Sequence, residues 1–81
     1  MSLATVQVFA SYADLLGANQ IQIRLPERAT VEDVETALRE IPGGGALPNQ
    51  LRIAINRGFA APRQPVSARD ELALIPPVAG G

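Results

Sequence analysis

The segment of residues 30–41 carries the pattern that most restricts how this chain can fold. Its apolar residues recur at the spacing of one helix face, and they are Val31, Val34, Leu38 and Ile41. Thr30 suits the N-cap position, and Asp33 stands where the acidic partner of a capping box belongs. A single helix with one apolar face must cover a sheet, so the remaining segments are expected to supply one.

Three acidic residues, Glu32, Asp33 and Glu35, crowd the start of this helix. Such a group can hold a metal ion, but negative charge at this position is also favoured by the helix dipole. We therefore interpret the three residues as a solvated face, on which Glu35 and Arg39 are spaced to form an ion pair.

Four segments show the alternation or the apolar content of strands. They are residues 5–10, 20–25, 51–56 and 71–75, and residues 59–61 add a short edge segment. Residues 71–75 are almost wholly apolar, which is typical of a strand in the centre of a sheet.

Glycine and proline mark the connections between these elements. Ser11 is placed to cap a short helical turn that ends at Gly17, and residues 42–45, Pro-Gly-Gly-Gly, end the main helix. This glycine run predicts a flexible connection rather than a phosphate-binding loop, since the chain contains no lysine. Tight turns are predicted at Arg57-Gly58 and at residues 69–70.

The order of elements is strand, strand, helix, strand, edge segment, strand, which predicts an α+β roll with a mixed sheet. A right-handed crossover through the main helix leaves the last strand parallel to the first, in the centre of the sheet. We expect one domain over residues 1–75 and an extended, flexible tail over residues 76–81, because Pro76 and Pro77 exclude helix there.

The composition excludes several kinds of site. The 81 residues include no cysteine and no histidine, and all seven basic residues are arginines, so thiol, imidazole and side-chain amine nucleophiles are missing. A net charge of −1 and few aromatic residues argue against a nucleic-acid partner. No apolar run predicts a membrane span, and the lack of cysteine fits a reducing cytoplasm. If the chain takes part in catalysis, a partner must supply the acid, the base and the pocket.

The sequence closes on Gly80-Gly81. Without side chains, this backbone can pass through a channel too narrow for other residues and place the Gly81 α-carboxylate against a reactive centre. That carboxylate can be activated as an acyl phosphate ester, so it is the candidate reactive group. The alternative is a frayed end without a function.

Phe9 interrupts the polar side of the alternation in the first strand. It is either a core residue on a second buried face or an apolar group exposed for a partner. The sequence gives these two alternatives equal weight.

Several segments, in chain order, resemble the MoaD/ThiS family of ubiquitin-like sulfur carriers. They are Val8-Phe9-Ala10 through Gly17, Leu25-Pro26 with Ala29-Thr30-Val31, then Ile53-Ala54-Ile55-Asn56, and the ending from Asp70 to Gly81. The ending is the most specific of these likenesses. The chain departs from the family pattern at Ala13-Asp14, where the family often has Arg-Glu, and at Arg69, where it usually has glycine.

The resemblance implies a β-grasp fold and a reactive terminus at Gly81. An E1-like activating enzyme would adenylate the Gly81 carboxylate with ATP, and sulfur transfer would then give a thiocarboxylate. The large subunit of molybdopterin synthase would take up the tail, and its pocket would pass the sulfur to cyclic pyranopterin monophosphate in molybdenum cofactor biosynthesis. The family usually forms a heterotetramer, and the carrier itself binds no cofactor.

The resemblance also assigns the site residues and leaves alternatives. Gly81 and Gly80 would carry the chemistry. The partner-binding residues would be Phe9, Ile75, Pro76, Pro77, Val78 and Ala79. A carrier for thiamine thiazole or cysteine synthesis would use the same terminus with another docking surface, and a non-catalytic or protein-modifying ubiquitin-like domain would share the fold. The Pro-Pro-Val approach to Gly80 favours the molybdopterin branch.

Overall fold

The computed structural model describes residues 2–76 and confirms an α+β roll with a mixed sheet. Its strands are β1 (Ser2–Val8), β2 (Gln20–Leu25), β3 (Arg52–Ile55), β4 (Gly58–Phe59) and β5 (Leu72–Ile75). Its helices are α1 (Ala10–Leu16), α2 (Val31–Glu40) and a 3-10 turn at Gly44–Ala46. Of the helices among these residues, none has the length and apolarity needed to cross a bilayer. The predicted tail, apart from Pro76, lies outside the described residues.

The last strand of the chain lies in the centre of the sheet, whose order is β2-β1-β5-β3-β4. β5 is parallel to β1, with Leu72 beside Val6, and antiparallel to β3, with Leu74 beside Ile53. The predicted central, parallel position of the last strand is therefore confirmed. β1 begins earlier than predicted, at Ser2, because its antiparallel partner β2 extends the pairing as far as Leu25.

Helix α2 covers one face of this sheet with the apolar stripe that the sequence predicts. Its buried residues are Val31, Val34 and Leu38. The strand residues that join them in one core are Ala4, Val6, Val8, Ile23, Leu25, Ile53, Ile55, Leu72 and Leu74. Burial of this apolar surface is the main favourable term for the fold.

The first turn of α2 is stabilised by its own capping residues and by a distant loop. The Thr30 N–H donates to the Asp33 carboxylate at 2.8 Å, which confirms the predicted capping pair. The next two N–H groups, of Val31 and Glu32, donate to the carbonyls of residues 64 and 62. These bonds satisfy donors that a helix start otherwise leaves unpaired. Within residues 2–76, no three acidic side chains are grouped closely enough to hold a metal ion.

The glycine run after α2 is packed at Gly44, whereas a Cβ atom added at Gly45 would meet no atom within 4 Å. Gly44 is buried, and a Cβ atom at this residue would clash with the Leu38 carbonyl oxygen. Gly43 adopts φ +86°, a left-handed conformation that favours glycine. The loop therefore closes directly on the end of α2 because these two residues have no side chains.

Arg39 holds this loop instead of pairing with Glu35. Its Nη2 donates to the Asn49 carbonyl at 2.8 Å, and its Nη1 donates to the Leu47 carbonyl at 3.4 Å. No salt bridge joins Arg39 to Glu35 within the described residues, so the predicted ion pair is wrong. Partial burial raises the pKa of Glu35, and Glu32 nearby adds to this effect, while the charge of Arg39 opposes it.

Three local features near α1 and β5 can be compared with the sequence. Gly17 ends α1 in the left-handed conformation, at φ 75°, as predicted, but the N-cap residue is Phe9 rather than Ser11. Arg69 is not in the left-handed region, so its departure from the family glycine introduces no backbone strain there.

Candidate docking face

The face of the sheet that points away from α2 carries a row of neighbouring residues across four strands. Gln7 of β1 lies beside Ala73 of β5, which lies beside Ala54 of β3, which in turn pairs with Phe59 of β4. Successive side chains of a strand point to opposite faces, and the neighbours of these residues fill the core. This second face, which we call the open face, therefore carries the side chains of this row and not those of the core.

A groove of about 330 Å³ lies on the open face. Its lining residues are Gln7, Phe9, Ala54, Arg57, Phe59, Glu71, Ala73 and Ile75. Ala54 is only 7% exposed although it does not belong to the main core, so it forms part of the groove floor. The groove is apolar along most of its length and charged at the end formed by Arg57 and Glu71.

Phe9 stands at the groove with 47% of its surface exposed, which excludes a second buried face as its environment. It directly follows β1, whose last residue Val8 pairs with Leu74, so it lies level with Ile75 of β5. The next residue, Ala10, adopts φ 50°, a left-handed conformation that costs a non-glycine residue about 1 kcal/mol. The chain therefore turns sharply into α1 just after Phe9, and the ring remains on the open face.

Phe59 is the most exposed large apolar side chain of the groove, at 71%. The Arg52 guanidinium lies over its ring, 5.7 Å from the centroid, in cation–π geometry. The sequence predicts the edge segment but does not single out Phe59 as a site residue. The available signal was a large aromatic residue on a two-residue edge strand, where no core contact requires one.

The charged end of the groove is built at the β3–β4 hairpin. The Arg57 Nε donates to the Glu71 carboxylate at 3.4 Å, but both side chains are more than half exposed. An ion pair this exposed contributes little stability. The pair therefore acts as a polar rim rather than as a structural support.

The two remaining described site residues lie where the chain leaves the sheet. Ile75 and Pro76 are half-buried, and Ile75 closes the groove at the end nearest Phe9. Residues 77–81 lie outside the described residues, and they include the predicted reactive Gly81 and its neighbour Gly80. The structure brings Phe9 and Ile75 together, and their contact with a partner stays a prediction.

Comparison with known proteins agrees with this architecture. The profile of the ThiS family matches residues 6–81. Small archaeal modifier protein 1 of Haloferax volcanii is 32% identical over 84 aligned residues, which cover 93% of this chain and 97% of that protein. A crystal structure of SAMP1 from the same organism superposes with a TM-score of 0.81, covering 99% of this chain and 100% of the other, at 29% identity.

Two further relatives carry molybdopterin names. The molybdopterin synthase sulfur carrier subunit of Arabidopsis thaliana is 27% identical over 77 residues, covering 94% of this chain and 80% of that protein. One chain in a complex of subunits 1 and 2 of the molybdopterin-converting factor from Helicobacter pylori shares the fold, with a TM-score of 0.69 at 21% identity. That alignment covers 99% of this chain and 100% of the other.

The fold, the open face and the profile match together define a ubiquitin-like β-grasp protein. The chain belongs to the ThiS family of ubiquitin-like sulfur carriers, which also includes the MoaD-type proteins.

Proposed function

We propose that this chain is the sulfur-carrier subunit of a molybdopterin synthase and that Gly81 carries the sulfur as a thiocarboxylate. The observation that carries the proposal is the position of β5. This strand is held between β1 and β3 in the sheet centre and ends beside an apolar groove, immediately before the tail. A terminus that follows a fixed strand can be presented to another protein without disturbing the fold.

The proposed chemistry uses the Gly81 α-carboxylate and no side chain of this protein. A carboxylate oxygen attacks the α-phosphorus of ATP in the activating enzyme, and pyrophosphate leaves. A sulfide-level donor then displaces AMP from the acyl adenylate, which forms the C–S bond of the thiocarboxylate. Since the chain has no histidine, cysteine or lysine, the activating enzyme and then the large subunit supply the catalytic groups.

The groove on the open face is the proposed contact with both partners. Phe9, Phe59 and Ile75 present apolar surface around it, and Arg57 with Glu71 adds a polar rim. An apolar centre with a polar rim is the usual composition of a protein interface. Pro76 and the predicted residues 77–79 would extend this contact along the tail.

The experiment that tests the proposal has two stages. Intact-mass measurement after incubation with the cognate activating enzyme, ATP and a sulfur donor should show one oxygen exchanged for sulfur. The modified chain, mixed with the cognate large subunit, should then convert cyclic pyranopterin monophosphate into the dithiolene product, with two modified chains consumed for each product because each carries one sulfur. A variant without Gly81 is the control, and it should keep the melting temperature of the native chain. A thiocarboxylated chain that gives no product would exclude the molybdopterin role.

A second candidate function is protein modification, favoured by the 32% identity to small archaeal modifier protein 1. The same Gly81 adenylate would then be attacked by a lysine amine of a target protein, with AMP as the leaving group and an amide as the product. Expression of a tagged chain, followed by mass spectrometry of conjugates, distinguishes this function. Gly81 joined to target lysines, and lost in the variant without Gly81, would support it.

A carrier for another sulfur pathway would pass the first stage of the test and fail the second. The phenotype of a deletion strain then separates the pathways. A thiamine requirement with intact molybdoenzyme activity would assign the carrier to thiazole synthesis, whereas loss of molybdoenzyme activity supports the molybdopterin role.

A further inference from the structure

Asn56 joins the β3–β4 hairpin to the start of β5. The hairpin has a two-residue turn in which Asn56 and Arg57 adopt φ 51° and 73°, so both are left-handed, as the tightest strand connections require. The predicted turn at Arg57-Gly58 is therefore displaced by one residue. This asparagine closes one of the segments that resemble the family, and the proposed sulfur chemistry gives it no role.

Three hydrogen bonds connect Asn56 to residues 70 and 71. Its backbone N–H donates to the Glu71 carbonyl at 2.8 Å. Its side-chain oxygen accepts from the Glu71 N–H at 2.9 Å, and its side-chain NH2 group donates to the Asp70 carboxylate at 3.1 Å. The other Asp70 oxygen accepts from the Ser67 N–H at 2.8 Å, so the loop before β5 is tied into the same network.

Asparagine is the side chain that meets all the requirements of this position. The left-handed backbone selects for glycine, asparagine and aspartate. Glycine would lose both side-chain bonds, and aspartate would place a carboxylate against that of Asp70. Only asparagine combines left-handed tolerance with one acceptor for Glu71 and one donor for Asp70.

The network lies next to two of the strands whose residues line the groove. Phe59 lies on β4, which has two residues and, among the described strands, pairs with β3, to which the turn at Asn56 joins it. Ala73 and Ile75 lie on β5, whose start is bonded to the same asparagine. Asn56 is therefore connected to two of the strands that line the groove. It is joined to β4 through the turn and to the start of β5 through hydrogen bonds.

We propose that Asn56 is a positioning residue for the docking face, because its bonds to Asp70 and Glu71 fix Phe59 relative to β5 in the geometry that a partner binds. This inference rests on the proposed function, since it takes the open face as the surface that docks. Asn56 acts through Phe59 and the groove, and its own side chain need not touch the partner.

The test measures the affinity of the cognate adenylating enzyme, which both candidate functions require. Asn56→Gly keeps the turn and removes only the side-chain bonds, and Asn56→Asp replaces the bond to Asp70 by repulsion. The double variant Asn56→Asp with Asp70→Asn exchanges donor and acceptor and should restore the network. Thr30→Ala is the matched control, because it weakens a hydrogen-bonded cap at the start of α2, away from the groove.

All affinities are measured at a temperature at which every variant is folded, and melting temperatures are recorded alongside. Both single variants should weaken binding, by about fivefold or more, and the double variant should return to within about twofold of the native value. Thr30→Ala should lower the melting temperature and leave the affinity unchanged.

Three outcomes decide the inference. Equal affinity for the native chain and both single variants would overturn it. A loss of affinity that follows the loss of stability, including in Thr30→Ala, would also overturn it, because Asn56 would then be only structural. A native chain that binds no adenylating enzyme would instead refute the proposed function on which the inference rests.

Discussion

The two faces of the sheet are built from the same strands and differ in how far their side chains are buried. On the covered face, Leu72 and Leu74 of β5 are completely buried against α2 and the rest of the core. On the open face, Ala73 and Ile75 of the same strand line a groove whose rim includes a ring that is 71% exposed. Since adjacent residues point to opposite sides, substitutions on one face should separate stability from docking.

The largest expected effect is on the covered face. Leu74→Ala removes a fully buried side chain beside Ile53, and such a change costs about 2–5 kcal/mol in the free energy of unfolding. Urea denaturation measures this loss. The affinity of the folded fraction for its partner should stay close to native, and a loss of affinity without a loss of stability would contradict the division between the faces.

The second effect tests how the covered face is closed at the end of α2. Gly44→Ala places a methyl group against the Leu38 carbonyl, so the loop must move, at a cost of about 1–3 kcal/mol. Gly45→Ala is the matched control, because no atom lies within 4 Å of its added Cβ. Thermal unfolding of the two variants should therefore differ clearly, and equal melting temperatures would show that the loop has room.

The third effect belongs to the open face. Phe59→Ala should change the free energy of unfolding by less than about 0.5 kcal/mol, since the ring is mostly exposed. Loss of an aromatic anchor should weaken partner binding by about tenfold or more. Leu3→Ala is the control, because Leu3 is 58% exposed and does not line the groove. Titration calorimetry with the cognate partner compares them, and equal affinities would remove Phe59 from the interface.

The smallest effect concerns a charge at the edge of the covered face. Burial raises the pKa of Glu35 in the folded chain, so its ionisation opposes folding at neutral pH and costs nothing once it is protonated in both states. Glu35→Gln should therefore raise the melting temperature slightly at pH 7, and this gain should disappear as the pH falls below the ordinary glutamate pKa. Glu27→Gln is the control, because it removes one negative charge at an exposed position.

Much of the covered face could be predicted from the sequence because its signals are local and periodic. The predicted strand at residues 20–25 has the bounds of β2, and the α2 pattern identifies its N-cap and all its buried residues. The apolar run at residues 71–75 predicts a central strand because such a strand is flanked on both sides.

The open face was harder to predict because its features depend on contacts between distant residues. Phe59 gains its place only when β4 pairs with β3 and brings the ring beside Arg52. The role of the Asn56 side chain becomes clear only when the fold brings Glu71 next to it. The buried Gly44 likewise resembles a flexible linker until the loop meets the Leu38 carbonyl. A pattern of neighbouring residues in the sequence carries no information about these contacts between distant residues.

The central place of β5 has a consequence for the order in which the protein is made. Until residues 72–75 leave the ribosome, β1 with β2 and β3 with β4 are two separate pairs, since β5 is the strand between them. Isolated two-stranded pairs are only marginally stable in water. The sheet therefore closes only after residues 72–75 have been made, and a chain that stops before them leaves the two pairs apart.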